Sequence, residues 1–255
     1  MKRLGFLVVA ALAAGTVAVS GCGNDDGGRP RLTVSAASSL TEALTACSRE
    51  FPDATVHLEF AGSDELAARI RQGVRPDVYA AANTALPREL SREDLLEKPR
   101  IFATNELVLA SRAGSSEVRS LQDLTRKGVK IAVGSASVPV GSYTLQALSR
   151  MEPQVREAIA HNIRSREPDV KGVIGKLVQG AVDAGFVYES DVEATDGRLV
   201  SIKLPARLEP TVAYAVGVVK GTDQPVASRA YLQGLLAGSC ADALRKAGFG
   251  RPGSS

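Results

Sequence analysis

The chain of 255 residues is long enough for one large domain or for two lobes with separate cores, and 44% hydrophobic residues support a packed, folded protein. Its formal charge of +3 falls to near neutrality once Lys2 and Arg3 at the extreme N-terminus are set aside, leaving 29 basic against 28 acidic residues; with no cluster of Lys and Arg, nucleic acid is excluded as a partner. Aromatic residues make up 4% and Trp is absent, so stacking platforms for sugars or bases are poorly supplied and a small polar ligand is expected.

The first element is a leader. Lys2 and Arg3 precede an apolar run over residues 4–19. At about 1.5 Å per residue this run is short for a bilayer core of about 30 Å, so residues 1–21 read as a signal peptide rather than a permanent transmembrane helix. The run ends in Val19-Ser20-Gly21-Cys22, which resembles a bacterial lipobox. Cys22 is therefore expected to carry the lipid that anchors the chain to the membrane, the alternative being an ordinary cleavage site. Residues 22–30, rich in Gly, Asp and Asn, read as a flexible tether.

From residue 31 short apolar runs alternate with longer amphipathic ones. Strands are expected at 32–35, 56–60 and 77–80, with helices at 40–51 and 65–72. A second series opens with a strand at 106–110 and continues with a helix at 121–127, a strand at 129–133, helices at 140–151, 155–160 and 170–179, and a strand at 184–188. A late strand at 211–219 and helices at 224–236 and 239–247 are too isolated for a third domain. The class is α/β: two lobes, each a mixed, mostly parallel sheet flanked by helices, joined by two crossing strands. Lobe 1 is expected over 31–108 with 215–250 returning to it, lobe 2 over 109–214, and a frayed tail over 251–255. Cys47 and Cys240 fall in the first and last helical patterns; they could pair or remain two buried thiols.

Open α/β sheets bind ligands beyond the carboxyl ends of their strands, which here face the cleft between lobes. Four strand-to-helix junctions share one design. In Ala36-Ala37-Ser38-Ser39-Leu40-Thr41-Glu42, Ser39 is expected to cap a helix with Glu42 completing a capping box; Ser63 takes the same place in Phe60-Ala61-Gly62-Ser63-Asp64-Glu65. Val138-Pro139-Val140-Gly141-Ser142-Tyr143 and Glu167-Pro168-Asp169-Val170-Lys171 each put proline near a helix start. The first amides of a helix lack internal partners and carry partial positive charge, so converging starts suit an anion without any Lys or Arg.

These motifs, together with Ala132-Val133-Gly134 and Gly185-Phe186-Val187-Tyr188, resemble the periplasmic molybdate-binding proteins of ABC transporters over roughly residues 32–249. The resemblance implies a type II periplasmic-binding-protein fold and a tetrahedral oxyanion, molybdate or tungstate, as ligand. It implies contacts from Ser39 and Ser63, the amides of Val140 and Val170, and the hydroxyl of Tyr188. It also implies an ABC permease and its ATPase as partners, a monomer, molybdenum present only as the bound oxyanion, and no cofactor. Asp64, beside Ser63, would repel a dianion and is expected to face solvent.

Hydrolysis is disfavoured, since no histidine adjoins the serines and no Gly-x-Ser-x-Gly elbow is present. His57 and His161 have no metal-ligand spacing, and His57 is expected on the solvent face of its strand. The competing readings are a carrier for sulfate or phosphate on the same fold, and a two-lobed sensor lipoprotein.

Overall fold

The structure, a computed structural model, describes residues 28–253; the signal peptide expected at 1–21 and the lipidation residue Cys22 lie outside the described residues. Its first sheet comprises β1 (Arg31–Ala37), β2 (Thr55–Ala61), β3 (Val78–Ala81), β4 (Arg100–Asn105) and, arriving late, β10 (Val212–Val218), in the order β2-β1-β3-β10-β4. The second comprises β5 (Leu107–Arg112), β6 (Ile131–Gly134), β7 (Ile163–Glu167), β8 (Ala184–Tyr188) and β9 (Leu199–Lys203), in the order β7-β6-β8-β5-β9.

Both sheets are mixed, and half of the pairings in each are parallel. β1 runs parallel to β2 and β3, as β6 does to β7 and β8. Every antiparallel pairing involves β5 or β10, the strands by which the chain enters one sheet from the other. The share of parallel pairs is smaller than expected for that reason. The chain crosses at Glu106 and again over residues 204–211. Leu107 and Val108 thus pair in the second sheet and Val212, Ala213 and Tyr214 in the first.

Helices α1 (Thr41–Ser48), α2 (Ser63–Arg71), α3 (Ala85–Arg92), α8 (Pro225–Ala237) and α9 (Ser239–Lys246) flank the first sheet; α4 (Pro139–Ser149), α5 (Pro153–Asn162), α6 (Val170–Val178) and α7 (Glu189–Glu193) flank the second. Helices on both faces explain why β1, β3 and β8 are near-continuous runs of buried small and apolar residues rather than alternating ones. The segment expected as a helix at 121–127 is a 3-10 turn, Leu121–Thr125, held by a capping box between Ser120 and Asp123. Cys47 in α1 and Cys240 in α9 form a disulfide, so the first and last helices are covalently joined. His57 lies on edge strand β2 and is half-buried rather than fully solvent-facing.

Candidate anion site between the two sheets

Four helix starts face one another across the gap between the sheets. β1 ends at Ala37 and runs through a 3-10 turn, Ser38–Leu40, into α1. β2 ends at Ala61, and Gly62 caps α2. Beyond β6, Val138 caps α4 with Pro139 in the first turn. Beyond β7, Asp169 caps α6, its carboxylate accepting the Gly172 N–H at 2.9 Å. Tyr188 closes the ring from the end of β8.

These junctions line one small cavity. Ser39, Ser63, Val140, Val170 and Tyr188 all line it, and none is more than 4% exposed. A ligand held there is shielded from water, which strengthens every polar contact it makes. The described residues that line the cavity include no Lys or Arg. Gly134 and Gly141 let β6 and α4 pack closely enough to place this turn, for a Cβ on Gly141 would lie 1.9 Å from the Ser135 carbonyl.

The serines differ from expectation in one respect: neither caps a helix. Ser39 lies inside the 3-10 turn, and no capping box forms with Glu42. The Ser39 hydroxyl instead pairs with that of Tyr214 at 3.0 Å. Gly62 takes the cap position of α2 and Ser63 is already helical, too far along to fold back onto its own first turn. The Ser63 Oγ accepts the backbone N–H of Ala82 at 3.1 Å. Released from capping, both hydroxyls can serve the cavity.

Asp64 also departs from expectation. Its Oδ1 is buried and has no hydrogen-bond partner instead of facing solvent. It crowds Gly62, where an added Cβ would lie 2.9 Å from Asp64 Oδ1 and 2.6 Å from the Pro168 carbonyl. The two halves meet here with room only for a hydrogen, which is why a glycine is required.

Tyr188 is fully buried and its hydroxyl has no partner. Burial, reinforced by Tyr214, Tyr143 and Asp191, raises its pKa far above the ordinary phenol value, so the group stays protonated and able to donate. The Tyr214 ring packs edge-on against it, 5.8 Å between centroids. Just outside, Lys171 Nζ bonds both oxygens of Glu42 at 2.8 and 2.9 Å, from α6 to α1 across the gap, and lies 3.3 Å from Asp191 Oδ1. Burial alone would lower the Lys171 pKa, but its two carboxylate neighbours outweigh that and raise it. Burial pushes Asp191 up to about 7 against the pull of Lys171.

Sequence reasoning missed Lys171, Asp191, Tyr214 and Ala82 as parts of this neighbourhood. Their partners are remote in the chain, and no local motif marks them. Chemically, the chamber is lined by four hydroxyl side chains, Ser38, Ser39, Ser63 and Tyr188, by the first turns of α4 and α6, and by one carboxylate, Asp169, which is engaged in capping α6; its donors are uncharged, a set suited to a compact anion.

Residues 32–250 match the family described as bacterial extracellular solute-binding protein. The molybdate-binding protein ModA of Mycobacterium tuberculosis is 36% identical over 259 residues, spanning 96% of this chain and 97% of that protein. The periplasmic molybdate-binding protein of Azotobacter vinelandii has the same fold, with a TM-score of 0.77 at 19% identity over 87% of this chain and 99% of that one. The sulfate-binding protein SubI of Mycobacterium tuberculosis H37Rv also shares it, with a TM-score of 0.77 at 16% identity over 89% and 88%. With two helix-flanked mixed sheets, a small chamber between them and a family match along most of its length, this chain belongs to the bacterial extracellular solute-binding proteins, which bind and hand on solutes and are not enzymes.

Proposed function

We propose that this protein is the substrate-binding subunit of an ABC importer, capturing molybdate or tungstate between its lobes and delivering it to a permease driven by an ATPase. In this reading Cys22 carries a lipid that holds the mature chain at the outer face of the cell membrane. The two lobes hinge about the crossings at Glu106 and over residues 204–211, a few residues from the boundaries at 108 and 214 expected from the sequence.

One observation carries the reading: five uncharged donors, from Ser39, Ser63, Val140, Val170 and Tyr188, surround one buried cavity, and the Tyr188 hydroxyl finds no partner within the protein. A buried hydroxyl without a partner costs about 1–3 kcal/mol, which a ligand oxygen would recover. The 36% identical relative that binds molybdate supports the choice of oxyanion. Sulfate and molybdate are both tetrahedral dianions, so cavity size rather than charge separates them.

Asp64 is not part of the cavity lining, but Asp169, the carboxylate among the described lining residues, favours a second reading, an anion that still bears a proton, such as hydrogen phosphate. Competition calorimetry with molybdate, tungstate, sulfate and phosphate decides between them. Molybdate or tungstate is expected to displace the others; preferential phosphate binding would select the second reading, and Ser63→Ala binding molybdate as tightly as wild type would remove the site assignment.

A further inference from the structure

Lys171 and Asp191 each follow a residue that lines the chamber: Lys171 comes directly after Val170 at the start of α6, and Asp191 stands three positions after Tyr188, in α7. α6 and α7 pack against one another on the second sheet. Lys171 Nζ donates to both Glu42 oxygens on α1, at 2.8 and 2.9 Å, and lies 3.3 Å from Asp191 Oδ1. That last contact is an ion pair and not an aligned hydrogen bond, for neither Asp191 oxygen has a hydrogen-bond partner among the described residues. The Asp191 side chain is wholly buried, whereas about half of the Glu42 side chain is exposed.

A buried carboxylate without a hydrogen bond is costly unless a cation is drawn onto it. Here the cation in reach is committed to the far side of the gap, to a carboxylate that water could satisfy instead. Parting the halves takes Glu42 away with α1 but leaves Lys171 beside Asp191, since α6 and α7 both belong to the second sheet. The flexible four-carbon stem of Lys171 then has one partner left and can swing fully onto it. Closure reverses the swing and sets two carboxylates around one ammonium: burial raises the Asp191 pKa, Lys171 lowers it, and Glu42 raises it again. Other charges on α7 and the elements packed against it are placed elsewhere. Glu189 accepts from Ser201, Lys203 bonds Glu106, Glu193 lies against Gly248, Arg112 lies beside Gly180, and Lys176 is in the last turn of α6. The phenols of Tyr188 and Tyr214 also feel Asp191, and both stay protonated.

We propose that Asp191 is a positioning residue for release: it holds the Lys171 ammonium when the halves are apart and yields it to Glu42 when they meet, so that it works against closure and shortens the stay of the bound anion. The proposal rests on the reading of the chamber as an oxyanion site. It gives the tie between α1 and α6 a counterweight inside the second half. Protonating Asp191 removes both its pull on Lys171 and its like charge opposite Glu42. Closure is therefore favoured as pH falls from about 8 to about 6, through the value near 7 to which burial raises this carboxyl.

The test is the release rate of radiolabelled molybdate from the full mature chain into excess unlabelled molybdate, followed by rapid filtration over that pH window. At the alkaline end Asp191→Asn is expected to release about two- to fivefold more slowly than wild type, the scale of one partly screened ion pair. At the acid end the two should converge, because the wild-type carboxyl is then neutral. In a Glu42→Gln background, where the tie to α1 is already lost, adding Asp191→Asn should change the rate little. A carboxylate that merely repels the bound dianion through space would slow release equally with or without Glu42; that result, faster release from Asp191→Asn, or a difference independent of pH overturns the proposal. Should Asp191→Asn not fold, the profiles of wild type and Glu42→Gln decide: wild-type release is expected to slow toward the acid end and Glu42→Gln to stay flat, and parallel profiles overturn the proposal. If the wild type binds no molybdate at any of these pH values, the chamber itself has been misread, and the proposal falls with it.

Discussion

Among the residues of the chamber, Tyr188 has the most distinctive signature, because its hydroxyl is a liability in the empty protein and an asset in the filled one. Tyr188→Phe removes a buried group with no partner, so the ligand-free variant is expected to melt at the same temperature as wild type or slightly higher. Oxyanion affinity should fall about tenfold, as for loss of one charge-assisted bond. Opposite signs in calorimetry with and without ligand check this; a parallel loss in both would refute it. Asp191 makes a different prediction. Its carboxyl titrates near 7 in the fold, against an ordinary value of 3.8. Below the ordinary value both states are protonated and no penalty exists. As pH rises from about 4 to 7 the unfolded chain ionises first, so this residue's contribution to stability is lost across that window and remains lost above it. Denaturant titrations at pH 4 to 8 should show Asp191→Asn gaining stability relative to wild type as pH rises, on the order of a few kcal/mol at most.

At the scale of elements, α6 and α1 are tied across the gap by Lys171 and Glu42, side chains that are 30% and 49% exposed. A partly screened pair of this kind is worth about 0.5–1 kcal/mol. Glu42→Gln should therefore speed release of bound oxyanion about two- to fivefold in stopped-flow displacement, and high salt should shrink the difference. α1 is held on its other side by the disulfide to α9, which spans 193 positions of sequence. Closing so long a loop in the unfolded chain is worth about 3–5 kcal/mol. Reduction, or Ser at both positions, should lower the melting temperature by roughly 10 °C in calorimetry. The helix starts were legible in the sequence because small and hydroxyl residues after an apolar run leave a local mark. Five elements were not. β7 alternates Ile163 and Ser165 with arginines at an edge and offers too few apolar residues for a period. α7 is a five-residue turn. α3 carries Pro87 in its first turn, which is tolerable there but reads as a break. β4 and β9 are short, half-exposed strands whose identity comes from their neighbours β10 and β5.

For the molecule as a whole, the sequence supports two α/β units and the segments lining the cleft, but not the contacts that make the halves into one object. Lys171 and Glu42 lie 129 residues apart, Ser39 and Tyr214 lie 175 apart, and no periodicity links either pair. The placement of Asp64 was lost for a related reason: helix position alone points it outward, whereas the close approach of Pro168 to Gly62 walls in one of its oxygens. That same approach has a kinetic meaning. With only a hydrogen's breadth between Gly62 and the opposing carbonyl, and with chamber side chains almost wholly out of reach of solvent, a captive ion has no side exit. Its departure waits on the parting of the halves, so an excess of rival anion outside cannot hasten it, whereas a docking partner that pries the halves apart would empty the chamber in the same stroke.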